Sequence, residues 1–389
     1  MSPRVYEISS SLHELMVAFR HDFHRHPELG FQETRTAARI AEALESWGLQ
    51  VHRGRGVVGV LTAGRSTRTI ALRAEMDALP IQETSDLAHA SSVEGVMHGC
   101  GHDGHMAMLL GAAKQLSEAP DFDGRVVFVF QPNEENGLGA KAMLNEEIVK
   151  RFAIEEIYAL HNLPGAPLGE ISTRAGLICS SESLFEIEIE GQGGHASMPH
   201  VGGDTLLVGA EVVQALQAIV ARKLPPAAGA VVSVTEFITN GARNVLPSRV
   251  LLKGDARARS PQDRERIEEL MRRIVAGVEL GQDVKIRVGF NTEFLETIND
   301  ARCAATAIEV ARRVTDQVRG DRQPLSFSED FSHFLSAVPG CFLLIGNGTE
   351  GAHGRPLHAS SYDFNDALLT VGAAFWMALV TDRLATRTN

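Results

Sequence analysis

Residues 98–105 read His98-Gly99-Cys100-Gly101-His102-Asp103-Gly104-His105, which places three imidazoles, one thiol and one carboxylate within eight positions. Imidazoles and thiolates are the borderline and soft donors that transition metals take, and the interleaved glycines let the backbone turn sharply. Cys100 and His102, two apart, can converge on one side of an extended or turning chain. A second chemical element is Glu134-Glu135, within Gln131-Pro132-Asn133-Glu134-Glu135, immediately after an apolar strand pattern. Ligand sites in open α/β sheets favour the carboxyl ends of strands. Adjacent carboxylates on a strand point apart, so one can coordinate a metal while the other reaches a bound water as general base. His161 ends another apolar run and His358 precedes the last helical pattern. Neither would persuade alone, but the combination points to a metalloenzyme.

Three further residues are candidates with open alternatives. Gly191-Gln192-Gly193-Gly194-His195-Ala196 is a backbone-permissive loop, able to project His195 into a neighbouring cleft or simply to expose it on a turn. Asn244 and Arg257 could bind a substrate carboxylate, since arginine favours bidentate contacts, or be ordinary surface groups. Two other signals fail. Gly54-Arg55-Gly56-Val57-Val58-Gly59 fits a dinucleotide fingerprint but leads into a strand pattern rather than a helix. His21, His24 and His26 lie on an amphipathic helix with no cysteine or paired acid, which reads as structural. Asn347-Gly348-Thr349, a glycosylation sequon by spelling, reads as a turn.

The bulk numbers bound the rest. A chain of 389 residues exceeds what one core normally supports, so two domains are expected. Hydrophobic content of 44% and charged content of 22% are those of a globular protein. A formal net charge of -12 argues against nucleic acid or an anionic membrane as partner. Met1 to Ser10 carry no apolar leader core, and no run approaches the ~18 apolar residues of a membrane span. A soluble cytoplasmic protein is therefore expected. Cys100, Cys179, Cys303 and Cys341 are scattered, as buried thiols or metal ligands are, rather than paired.

To position these residues, the first half of the chain alternates helix and strand patterns: helices at 12–25, 37–47 and 106–116, and strands at 57–62, 69–74, 125–130 and 157–161. Near-continuous apolar strands separated by helices indicate an α/β layer. The pattern changes near Ser180. Leu184 to Glu190 alternates apolar and acidic residues, and the order that follows to Phe290 is β-α-β-β-α-β, a ferredoxin-like unit. The chain then resumes with helices at 300–314, 327–338 and 364–383 around a strand at 341–346. The fold expected is a mixed-sheet α/β metallopeptidase-like catalytic domain, residues 1–180 and 292–389, with a ferredoxin-like α+β domain inserted at 181–291.

The chain resembles the bacterial and plant amidohydrolases that include hippurate hydrolase, N-acyl-amino-acid amidohydrolases and auxin-conjugate hydrolases, within the superfamily of dizinc aminoacylases and carboxypeptidases. The resemblance runs from Phe23-His24-Arg25-His26-Pro27-Glu28-Leu29 to Tyr362-Asp363-Phe364-Asn365-Asp366. It is most specific at Arg73-Ala74-Glu75-Met76-Asp77-Ala78-Leu79-Pro80, at 98–105, at Gln131 to Glu135 and at Gly193-Gly194-His195-Ala196. It implies two divalent metals per chain, zinc first, with manganese, cobalt or nickel as other choices. Cys100 would bridge them, and His102, Glu135, His161 and His358 would complete the set. Glu134 would be the general base and Asp77 would orient His102. The inserted domain would act as a lid and dimerisation surface, offering His195 to an active site across a homodimer, with Asn244 and Arg257 holding the substrate carboxylate. The substrate implied is a small N-acyl amino acid. The other readings are a metal-dependent dipeptidase or aminopeptidase, and a non-catalytic metal- or ligand-binding protein, against which Glu134 argues because binding alone needs no base. Glu75, Asn133, Ser248 and Asp255 depart from the usual residues, and touching no expected ligand they would bear on substrate choice.

Overall fold

The computed structural model describes residues 7–202 and 204–386, so the leader-free reading of residues 1–10 falls mostly outside the described residues. The chain divides into two compact units. The first takes the chain as far as Ile178, Thr297–Gln323 and everything from Asp330; the second takes Cys179–Glu296 and Pro324–Glu329. That last hexapeptide, whose second half the sequence pattern assigns to a helix of the catalytic domain, joins the second unit for a local reason. Leu325 bridges Cys179 in parallel, and its carbonyl accepts from the backbone N and the hydroxyl of Ser180. The helix expected from residue 327 accordingly begins at Phe331.

The first unit is built on an eight-stranded mixed sheet. Its strands are β1 (Gln50–Arg53), β2 (Val57–Ala63), β3 (Thr69–Glu75), β4 (Gly124–Gln131), β5 (Glu156–Pro164), β6 (Ile171–Ser172), β7 (Val318–Arg319) and β8 (Gly340–Gly348), in the order β1-β2-β4-β3-β5-β8-β6-β7. The central run β4-β3-β5-β8 is parallel, whereas β1, β2 and the β8–β6 pair are antiparallel. Every residue of β3 is buried, which requires cover on both faces and explains its lack of alternation. Four helices matter for the site: α1 (Ser10–Arg25), α2 (Thr34–Ser46), α3 (His102–Glu118) and α4 (Leu368–Arg383). The Ser9 hydroxyl caps α1 by accepting from Leu12 N, while α3 has only Gly101 at its cap. α3 packs against α1, α4 and β3 and is buried almost throughout, the reason its apolar residues show no single stripe.

In the second unit, strands Glu182–Glu190, Val231–Thr239, Arg249–Arg257 and Lys285–Phe294 form one antiparallel sheet. Helices Thr205–Ala218 and Pro261–Gly281 follow the first and third strands, and the first strand lies between the third and the fourth. This is the ferredoxin-like arrangement. Phe185, Ile187 and Ile189 of the alternating strand enter a core with Val212, Leu216 and Met271 of the helices, while the acidic residues between them face away.

Candidate metal centre

The 98–105 cluster is a helix start. Gly101 caps α3 at φ 89°, and His102 is the first helical residue. A Cβ at position 101 would lie 2.4 Å from Asn162 Oδ1 and 2.6 Å from the Tyr362 hydroxyl, so glycine is demanded twice, by φ and by space. The Glu134-Glu135 pair lies in a turn rather than on the strand, because β4 stops at Gln131 and the chain reverses through Asn133 at φ 49°. Two buried carboxylates pin that turn: Asn133 N donates to Glu33 at 2.8 Å and Glu135 N donates to Asp77 at 3.0 Å.

The structure brings seven of the candidates together within the first unit. Donor atoms of Cys100, Glu135 and His358 lie within 4.8 Å of one another, as do those of His102, Glu134 and Glu135. Cys100 Sγ is 3.5 Å from His161 Nε2. His358 Nε2 is 3.5 Å from Glu135, and His102 Nε2 is 4.0 Å from Glu134. Backbone carbonyls fix the imidazole tautomers. Nδ1 of His102 donates to the Asp77 carbonyl at 2.8 Å, and Nδ1 of His161 donates to the Asn162 carbonyl at 2.7 Å. In each ring Nε2 keeps its lone pair for a ligand. His358 sits at φ 64°, a region a non-glycine residue occupies only under constraint, with its N–H bonded to the Gly99 carbonyl at 2.8 Å.

These residues fit a metal. His102 Nε2 and Glu135 Oε1 are buried with no hydrogen-bond partner among the described residues. Burial, then the charges of Glu135 and Glu134, push the Cys100 thiol well above its usual pKa. Burial alone would lower His102, but Asp77 and the charge of Glu75 lift its pKa to about 10. A crowded anionic pocket that holds protons on a thiol and an imidazole is one in which a divalent cation can replace both.

Behind the donors lies a buried layer that the sequence left unassigned. His105 Nδ1 donates to Glu75 at 2.9 Å, and its Nε2 accepts from Asn162 N at 2.9 Å. Arg73 bonds Glu75, Gln131 at 2.8 Å and Asp330 at 2.8 Å. The His105 ring centroid is 4.5 Å from that of His161, so this layer backs a candidate ligand ring directly. Glu75, His102, His105 and His161 also form a compact donor group, but Glu75 and His105 spend their donors on each other. Glu75, expected to bear on substrate choice, has a fully buried carboxylate bonded to His105 and to Arg73. His105 was recoverable from its i+3 spacing after His102 on one helix face. His98 differs again. It is buried with neither ring nitrogen bonded among the described residues, and burial pushes its pKa down to about 3, leaving it neutral.

The other candidates belong to the second unit. A short antiparallel pair sets Val245 against His195, and Asn244 O accepts from Ala196 N at 3.0 Å, so Asn244 and His195 are neighbours despite their separation in sequence. His195 is exposed, its Nδ1 2.8 Å from the Ser197 hydroxyl. Arg257 is more constrained. It pairs with Glu182 at 2.7 Å and Asp255 at 2.8 Å, and bonds the Ser326 carbonyl at 3.0 Å. Of the departures from the usual pattern, Asp255 therefore touches a candidate site residue.

Comparison with known proteins matches this architecture. A hippurate hydrolase of Campylobacter jejuni is 36% identical over 365 residues, covering 92% of this chain and 94% of that protein. An N-acetylcysteine deacetylase of Bacillus subtilis is 32% identical over 383 residues, covering 97% and 98%. Among solved structures, a dinuclear metal-binding M20-family peptidase of Bacillus subtilis has a TM-score of 0.85 at 29% identity, covering 98% of this chain and 100% of that one. The profile of peptidase family M20/M25/M40 matches residues 71–382, a span that holds the cysteine-histidine helix start, the paired glutamates and the final histidine, and the chain belongs to that family.

Proposed function

We propose that this protein is a metal-dependent amidohydrolase that cleaves N-acyl amino acids to a carboxylic acid and a free amino acid. One observation carries the reading: of the adjacent glutamates, only Glu135 joins the Cys100 and His358 donors, while both reach His102 and Glu134 stands 4.0 Å from its Nε2. Two divalent ions would be held by Cys100, His102, Glu135, His161 and His358. Thiolate among imidazoles suits zinc first, with manganese, cobalt and nickel compatible. Bound there, such ions supply Lewis-acid polarisation of the scissile carbonyl and a more acidic water.

The chain's own residues do the rest. Glu134 takes the proton of the attacking water and delivers it to the leaving nitrogen. Asp77 holds His102 in its ligating tautomer through its carbonyl and holds Glu135 through its carboxylate. His195 donates to the developing oxyanion. Asn244 and Arg257 take the substrate carboxylate, Arg257 at the expense of its pair with Glu182. We place His195 across a homodimer, formed through the second unit acting as a lid. Leu206 and Leu207 of its first helix and Val231, Phe237 and Ile238 of its edge strand are exposed apolar residues.

The test is a screen of N-acetyl, N-benzoyl and indoleacetyl amino acids against unblocked dipeptides, with each metal. Release of free amino acid from the N-acyl substrates is expected. Turnover of only those substrates with a free amino terminus would make the protein a dipeptidase or aminopeptidase instead.

A further inference from the structure

Arg20, on α1, is one of the most deeply buried charges in the first unit, 1% exposed, although nothing about the amphipathic pattern around it marks it out. Its guanidinium is divided three ways. Nε donates to Asp103 at 2.9 Å, Nη2 to Asp363 at 2.6 Å and Nη1 to Asp366 at 3.0 Å. Those carboxylates belong to two segments far apart in sequence. Asp103 follows His102 in the first turn of α3, and Asp363 and Asp366 lie in the stretch between His358 and α4.

We infer that Arg20 is a positioning residue for the metal centre, one guanidinium fork holding the two segments that supply His102 and His358 in fixed relation. The inference rests on reading those histidines as metal ligands. The two segments also meet through Phe364. Its ring lies where a Cβ on Gly104 would be, 2.4 Å away, and Arg20 lies over the same ring at 5.8 Å. His24, one turn further along α1, supports the fork by bonding the same Asp103 oxygen at 2.9 Å and Glu83 at 3.3 Å. The His21/His24/His26 patch, unremarkable as sequence, thus supplies part of the clamp.

A buried arginine among three carboxylates is a poor way to gain stability, because desolvation consumes most of the attraction. It is a good way to fix geometry, since the planar fork presents its donors in set directions and lysine, a point charge on a flexible stem, does not. A purely structural role and a positioning role therefore part company on Arg20→Lys. Loss of structure alone lowers thermal stability without selective loss of metal. Loss of positioning loosens the ligands themselves, and partners behind metal ligands are typically worth about 10–100-fold in metal affinity.

The experiment loads the full-length protein with zinc or manganese, challenges it with graded chelator, and measures retained metal and Tm. Arg20→Lys is expected to release metal at about tenfold lower chelator or less. Arg383→Lys is the comparison, because Arg383 serves a similar buried carboxylate, Glu156, in an ion pair that includes none of the candidate ligands. It is expected to lower Tm and leave metal retention unchanged. Should Arg20→Lys fail to fold, Asp363→Asn keeps the shape and removes one arm, and its metal retention should also fall. Wild-type retention in a folded Arg20→Lys or Asp363→Asn protein overturns the inference. Wild-type protein that holds no metal overturns instead the reading of the site on which it rests.

Discussion

Glu134→Gln removes a proton acceptor while keeping the side chain's size. Glu134 Oε1 accepts from Asp330 N at 3.4 Å, a role the glutamine carbonyl can keep. The other terminal atom would stand 4.0 Å from His102 Nε2, too far to form a bond that could block the ligand. Volume and fold are conserved, so the loss should fall on the chemical step. General-base catalysis is worth about 10²–10⁴ in rate, or roughly 3–5 kcal/mol of activation free energy. Glu135→Gln makes the opposite change, since it weakens an anionic donor within reach of Cys100 and His358. It should lower metal content, with activity lost as a consequence. The assay measures amino acid release from an N-acyl amino acid together with metal content, on the same preparation of each variant. A Glu134→Gln enzyme within tenfold of wild-type kcat would refute the assignment. So would a pair in which Glu134→Gln loses metal and Glu135→Gln keeps it.

Burial alone would depress His24, but its bond to Asp103, that carboxylate's charge and Glu83 lift its pKa to about 9 from an ordinary 6.5. The folded state therefore holds this proton more tightly, giving stability that is complete below about pH 6.5 and lost as pH rises through about 9, on the order of 3 kcal/mol. Urea unfolding from pH 6 to 10 should show a steeper decline in wild type than in His24→Gln, which keeps only the part owed to other raised groups such as His102; parallel curves would contradict it. Gly104→Ala should lower Tm, because a Cβ there meets the buried Phe364 ring at 2.4 Å. Overpacking costs about 1–3 kcal/mol, which exceeds the gain of up to about 1 kcal/mol from alanine in a helix, and an unchanged or higher Tm would refute the clash. If His195 serves the partner's site, heterodimers of His195→Ala with Glu134→Ala should regain up to about half of wild-type activity, since one site carries both defects and the other neither. A verified heterodimer without rescue would place His195 in its own chain's site or outside catalysis.

What was legible in the sequence was whatever depended on neighbours along the chain. The β-α-β-β-α-β order followed from periodicity, and the strand Arg249–Arg257 stands where its alternation puts it. Cys100 and His102 were readable because their spacing and glycines are local. The apolar pattern shows α3 only from Met106, because His102, Asp103 and His105 form its first turn and offer no apolar periodicity there. The layer behind the donors was illegible for another reason. Arg73 finds Asp330 across 257 positions and Arg20 finds Asp366 across 346, and only the sheet order makes those pairs neighbours. The bond of Glu75 was hidden for the same cause, its partner His105 being thirty residues away on another element. The strands β1, β6 and β7 are too short to announce themselves.

The position of β8 has a consequence for synthesis. In the finished sheet β8 pairs with β5, a strand buried along almost its whole length. Yet β5 leaves the ribosome long before it. The stretch from Gly165 to Pro339, with the entire second unit inside it, must be made first, which at usual translation speeds takes roughly 10–30 s. Throughout that interval β5 is a bare apolar edge, the kind of strand that pairs with the wrong chain. The same delay withholds His358 and two of the three carboxylates that receive Arg20, Asp363 and Asp366. The nascent first unit thus waits with an open edge and an arginine short of two of its three partners, and chaperone occupancy of arrested chains should peak between completion of β5 and the release of β8.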